Sequence, residues 1–166
     1  ASFGRAFHQQ RLGLLDFPEL CDRAGLEAIE LNDFCLKGDW EVIRGLKRRS
    51  LKHGLGVCAV AVESDFYRVS SAEVERERAH LEEYLEIAFF LGAPLLRVVT
   101  CPYGKNLPKS IIPDGVTAER AFAAAVATFR ALMPAAEGSG ITFALENHGG
   151  ISRTSADQLR VAEAVG

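Results

Sequence analysis

The chain has 166 residues, of which 48% are hydrophobic and 25% are charged, and its formal net charge is −3. These values are typical of globular proteins, and they predict a single domain over residues 1–166. The acidic balance argues against nucleic acid as a partner, and no apolar run is long enough to cross a membrane. The four cysteines show no CxxC spacing, so we expect free thiols, no zinc knuckle and a cytoplasmic location.

Helical and strand patterns alternate along the chain. In chain order they predict a helix from Asp16 to Gly25, a strand at 28–31, a helix from Asp39 to Gly54, a strand at 57–62, a long helix from Ser70 to Leu91, a strand at 95–100, a helix from Thr117 past Leu132, a strand at 141–146 and a helix from Ser155 to the chain end. Residues 1–3 are compatible with the end of a further strand. Strands that alternate with helices in this way run parallel.

Capping signals fix several helix ends. Ser70 with Glu73, and Ser155 with Gln158, have the spacing of a capping box, which marks the first turn of a helix. Pro134 lies inside a helical pattern, where we expect it to kink or shorten the helix.

Two architectures suit parallel strands joined by helices: an open doubly wound sheet and a closed barrel. In three predicted strands one face is apolar and the other carries a polar group, namely Glu30, Arg97 or Glu146. An open sheet with helices on both sides needs two apolar faces. The patterns therefore favour the α/β class and a (β/α)8 TIM barrel, of which this chain supplies roughly the first five β/α units.

The length does not match a whole barrel, because a TIM barrel takes about 250 residues and eight strands. A half-barrel leaves two strand edges exposed. We therefore expect either an incomplete barrel from a longer protein or a homo-oligomer that closes the barrel.

The segment at 141–150 carries the clearest sign of function. An apolar strand ends at Glu146, and Asn147, His148 and two glycines follow. A carboxylate at the C-terminal end of a parallel strand suits a divalent metal or a general base, although an ion pair with Arg97 is also possible. His148 suits a substrate contact, support of a metal ligand, or a turn cap. The glycines lack the spacing of a dinucleotide fingerprint.

Further candidates share the same predicted end or face of the barrel. Glu30 and Arg97 lie on alternate strands, so they suit an internal salt bridge or a site for an anionic or polyol substrate. Asn32 follows the first of these strands, and His8 lies in the loop after residues 1–3.

Three segments resemble the xylose isomerase-like TIM-barrel superfamily, which includes sugar phosphate isomerases/epimerases and endonuclease IV. They are GLEAIELN at 25–32, LGAPLLRV at 91–98 and ALENHGG at 144–150, in the order expected for the first five strands. In such proteins the glutamate that ends the fifth strand is a divalent-metal ligand. The resemblance thus implies that Glu146 binds one Mn, Mg, Co or Zn ion, with the remaining ligands expected outside this sequence.

The resemblance implies a metal-dependent isomerase or epimerase. It would act on a small sugar or polyol-derived carbonyl compound by proton transfer through an enediolate. Glu146 is then the catalytic candidate, and the expected substrate-binding residues are His148, Arg97, Asn32, Glu30 and His8. The alternatives are an inosose-type dehydratase and a non-catalytic barrel that binds a sugar or a partner chain. An endonuclease IV-like activity is disfavoured, since residues 62–64 and 100–102 offer no histidine.

Overall fold

The computed structural model describes residues 9, 12–67, 70–101 and 115–166. The expected strand at 1–3 and the candidate His8 lie outside these residues. The elements are α1 (Phe17–Arg23), β1 (Ala28–Asn32), α2 (Asp33–Leu36), α3 (Trp40–Lys52), β2 (Gly56–Glu63), α4 (Ser71–Leu91), β3 (Leu95–Val99), α5 (Ala118–Ser139), β4 (Thr142–Glu146) and α6 (Ser155–Val165), with 3-10 turns at Leu14–Asp16 and Gly150–Ser152.

The strands form one parallel sheet in the order β1-β2-β3-β4. A doubly wound sheet reverses its strand order partway, whereas a barrel adds each strand beside the previous one. The order therefore confirms the predicted partial TIM barrel. None of the helices in the described part of the chain is long and apolar enough to span a bilayer.

The two faces of the sheet differ as the sequence predicts. One face packs against the helices through bulky residues such as Leu96 and Val98, both 0% exposed, and Phe143 meets Phe129 of α5 at 5.3 Å between ring centroids. The other face carries Glu30, Arg97 and Glu146, and we call it the inner face.

The register brings the inner-face groups to neighbouring levels. Asn32 pairs with Ala61, Ala61 with Arg97, and Arg97 with Ala144. The alanines have only a methyl group, so they leave room for the long side chain of Arg97 to cross the sheet. Glu146 pairs with Val99 one level nearer the C-terminal end of the strands.

Most helix ends follow the capping signals. Asp39 accepts from the backbone N–H groups of Glu41 and Val42, and Ser70 forms the expected capping box with Glu73. At the last helix the prediction is wrong by one residue. Thr154, not Ser155, is the N-cap, because its extended backbone lets its hydroxyl accept from the N–H of Asp157.

Pro134 does not end its helix, since α5 runs through it to Ser139.

The outer edge of β4 opens into an apolar groove of about 760 Å³ between α5 and α6. Phe143 and Leu145 of the strand and Leu159 of α6 line it, and Leu159 is 62% exposed. In the described residues β4 pairs only with β3. This edge of the sheet is therefore open, as the expectation of an incomplete barrel requires.

Candidate functional site

Glu146 ends β4 and is half-buried, with 27% of its side chain exposed. Its Oε1 lies 2.5 Å from Nδ1 of His148, and its Oε2 is fully buried and forms an ion pair with Nη1 of Arg97. Both carboxylate oxygens are therefore engaged, one by an imidazole and the other by a guanidinium.

Arg97 connects Glu146 of β4 to Glu30 and Asn32 of β1 on the inner face. Its Nε donates to Oε2 of Glu30 at 3.3 Å, and its Nη2 donates to Oε1 of Glu30 at 3.2 Å and to Oδ1 of Asn32 at 3.5 Å. The two-point contact with Glu30 uses the planar fork that arginine offers to carboxylates. Glu30 and Arg97 therefore share one face of the sheet, as predicted, and they form an ion pair. Glu146 contacts the same guanidinium from the other side.

His148 lies on the loop that follows β4. Burial lowers the pKa of its imidazole, and the positive charge of Arg97 lowers that pKa further. The ring is therefore neutral around neutral pH, and it can serve as a hydrogen-bond partner without adding charge to the site.

The backbone at the end of β4 is held by two buried hydroxyls. Ser152 donates from Oγ to the carbonyl oxygen of Glu146 at 3.1 Å, and its Oγ lies 2.7 Å from Oγ1 of Thr100. Both residues are 0% exposed. This pair of hydroxyls holds the backbone of Glu146 at the end of β4. Sequence reasoning did not identify the pair, because hydroxyl residues near strand ends form no distinctive sequence pattern.

The structure brings together five of the six expected site residues: Glu30, Asn32, Arg97, Glu146 and His148. The sixth, His8, falls outside the described residues.

A metal ion needs more ligands than these residues supply. In 12–67, 70–101 and 115–166 no three His, Cys, Asp or Glu side chains are grouped to hold one. Glu146 is a suitable carboxylate donor at the right end of the sheet. It therefore fits a metal site as one ligand of an incomplete set.

A second group of ionisable residues lies at the same end of the sheet, around the C-terminal ends of β1 and β2. A cavity of about 490 Å³ is lined by Asp33, Glu63, Glu77 and His80, among others. Burial raises the pKa values of Glu63 and Glu77. Asp33 is largely buried, and its Oδ2 accepts from the N–H of Glu63 at 2.9 Å and lies 3.7 Å from Nε2 of His80.

His80 should make the stability of the protein depend on pH. The carboxylate of Asp33, 3.7 Å away, raises the pKa of His80 and outweighs burial, with Glu77 and Glu83 adding to the rise. A raised pKa in the folded state gives stability that is complete below the unfolded value of about 6.5 and is lost as pH rises through the folded value. We expect His80→Gln to lower the melting temperature more at about pH 6 than at about pH 8.5. Thermal unfolding of both proteins across this range is the measurement, and a constant difference would contradict the assignment.

The sequence matches the family model described as xylose isomerase-like TIM barrel over residues 18–166. None of the curated proteins matches it significantly.

Solved structures with the same fold include a D-allulose 3-epimerase from Methylomonas sp. in complex with D-allulose, with a TM-score of 0.74 at 21% identity over 92% of this chain and 52% of that chain. The 3-keto-D-glucoside 4-epimerase YcjR from E. coli gives a TM-score of 0.72 at 18% identity, covering 91% of this chain and 59% of that one. The IolI protein with a bound zinc atom gives 0.65 at 18% identity, over 91% and 53%.

The chain spans about half the length of these structures, and the first of the similar structures is covered over 55% of its length. Identities this low establish the fold alone. The family match extends over most of the chain, and the strand order and inner-face register agree with it. The chain therefore belongs to the xylose isomerase-like TIM-barrel family.

Proposed function

We propose that the protein is an isomerase or epimerase that acts on a small sugar or polyol-derived carbonyl compound. The observation that carries this proposal is the position of the Glu146 carboxylate at the C-terminal end of β4, in contact with an imidazole and a guanidinium. Active sites of TIM barrels are built at this end of the strands.

The site offers the groups that proton transfer next to a carbonyl requires. Glu146 is a carboxylate that can accept a proton from carbon. His148, neutral and 2.5 Å from Glu146 Oε1, can orient that carboxylate or a substrate hydroxyl. Arg97 and Asn32 present donors and acceptors along the inner face, and these suit the many hydroxyl groups of a sugar.

A divalent metal is part of the proposal, with Glu146 as one of its ligands. The remaining ligands are expected from residues outside this sequence, on strands that would pair with the open edge of β4. When bound, such an ion polarises a carbonyl or hydroxyl oxygen of the substrate. Support comes from the zinc atom bound in the structure of IolI and from the D-allulose bound in the Methylomonas epimerase.

One observation favours a different role. The ion pair between Arg97 and Glu146 satisfies the carboxylate within the chain, which suits a non-catalytic barrel that binds a sugar. The inosose-type dehydratase is the alternative within enzymes: the same bound metal would help to expel a hydroxyl group as water, so the product would be lighter than the substrate by one water.

An assay in D₂O separates these possibilities. The full-length protein, supplied with Mn²⁺ or Zn²⁺, is incubated with a panel of ketohexoses, aldohexoses and inososes, and the products are analysed by mass spectrometry and NMR. Epimerisation by proton transfer is expected to introduce deuterium at the reacting carbon without loss of water. Loss of water would identify a dehydratase. Sugar binding without exchange or conversion would instead identify a binding protein.

A further inference from the structure

Arg97 is shared between two carboxylates on opposite sides of its guanidinium. Glu30 receives two hydrogen bonds from it, at 3.2 and 3.3 Å, and Asn32 receives a third at 3.5 Å. The remaining guanidinium nitrogen, Nη1, forms the ion pair with Glu146. The guanidinium of Arg97 therefore lies between two carboxylates, with Glu30 on one side and Glu146 on the other.

A cation that binds Glu146 must bind a carboxylate that is already paired with Arg97. The carboxylate oxygen Oε2 is fully buried against the guanidinium. A metal ion beside Glu146 would be repelled by the fixed positive charge only one side chain away, and this repulsion is strong where solvent is partly excluded.

The inner face also provides other partners for Arg97 when a cation occupies Glu146. Its contacts with Glu30 and Asn32 involve Nε and Nη2, which are not the nitrogen that reaches Glu146. Loss of the Glu146 contact would therefore leave the arginine paired and hydrogen-bonded.

We propose that Arg97 is a resident counterion that competes with a divalent cation for Glu146, and that Glu30 retains Arg97 once the cation is bound. The inference rests on the proposed function in taking Glu146 as the ligand of that cation. It predicts opposite effects for the two partners, because removing Arg97 frees Glu146 and removing Glu30 leaves Arg97 entirely to Glu146.

The test is calorimetric titration of the EDTA-treated, full-length protein with MnCl₂ and with ZnCl₂. We expect Arg97→Gln to bind the metal at least about tenfold more tightly than the wild type, which corresponds to a modest part of the repulsion between unit charges at this range. Glu30→Gln should bind it more weakly. In the Arg97→Gln background, Glu30→Gln should have little further effect, because its influence passes through Arg97.

Arg130→Gln is the matched control, since Arg130 is an exposed arginine on α5. It should leave metal affinity unchanged. Circular dichroism and the melting temperature in EDTA report on folding, and the metal-free melting temperature should fall in Arg97→Gln. If Arg97→Gln does not fold, Glu30→Gln alone decides, and unchanged or tighter binding in that variant would overturn the proposal.

The outcomes also separate this inference from the proposed function. If Arg97 instead orients Glu146 as a supporting residue, its loss should weaken metal binding by about 10- to 100-fold, and the inference is wrong while the metal site stands. Metal binding by Arg97→Gln but not by the wild type would confirm that Arg97 acts as the counterion of Glu146. It would also contradict the part of the proposed function that requires a bound metal in the wild-type protein. Binding by neither protein would reject both.

Discussion

Under the proposed function, Glu146→Gln in the full-length protein is expected to lower kcat/KM for the proposed sugar substrate by about 10²- to 10⁴-fold, the range that removal of a general acid or base typically costs. The amide keeps the size of the side chain but can neither accept a proton from carbon nor neutralise a cation. The fold should persist, because the hydrogen bond from Ser152 goes to the backbone carbonyl oxygen of residue 146, which the substitution leaves in place. Arg97 also keeps its contacts with Glu30.

Glu137→Gln is the control for this substitution. Glu137 is an exposed glutamate near the end of α5, before β4 begins, so the same chemical change there should leave kinetics unaltered. Steady-state kinetics and metal titration of the two variants also divide the roles of Glu146. Loss of turnover with metal affinity retained would assign it as the base, and loss of both would assign it as a ligand. Wild-type turnover in Glu146→Gln would remove Glu146 from the mechanism.

Local patterns predict much of this fold because they correspond to local physics. Ser70 with Glu73 marks the start of α4, since a hydroxyl and a carboxylate three residues apart satisfy the free N–H groups of a first turn. The helix Asp33–Leu36 is missed, because four residues are too few to show a helical period.

The register of β2 is also beyond sequence reasoning. Its apolar run has no polar alternation, and the pairing with β1 skips Cys58 between Val57 and Ala59. This irregularity sets which side chains of β2 join the inner face, and only the pairing of the strands reveals it.

For the candidate site, strand parity brings Glu30 and Arg97 to one face, and the structure shows them paired. Parity leaves open whether Arg97 also contacts Glu146, because that depends on the length of the guanidinium arm and on the small side chains of Ala61 and Ala144 beside it. The pairing of His80 with Asp33 is not apparent in the sequence either, since 47 residues separate them and no period links their positions.

Gly150→Ala should cause a large loss of stability close to the candidate site. Gly150 has a φ of 62°, and an added Cβ would lie 2.9 Å from the Tyr67 hydroxyl and 3.0 Å from the Cβ of Cys101. A left-handed conformation costs a residue with a Cβ about 1–2 kcal/mol, and overpacking adds about 1–3 kcal/mol. We therefore expect a loss of about 2–5 kcal/mol in the free energy of unfolding, measured by denaturant titration.

Gly140→Ala separates the two contributions. Gly140 has a φ of 69° but nothing within 4 Å of an added Cβ, so it should lose only the conformational part, about 1–2 kcal/mol. Tyr67→Phe in the Gly150→Ala protein should recover part of the steric loss, because it removes the closest atom. Burial raises the pKa of Tyr67 to about 12, so ionisation does not complicate the comparison at neutral pH. Equal losses at positions 140 and 150 would show that the contact with Tyr67 and Cys101 does not hold the turn, and that the loop carrying His148 tolerates a side chain there.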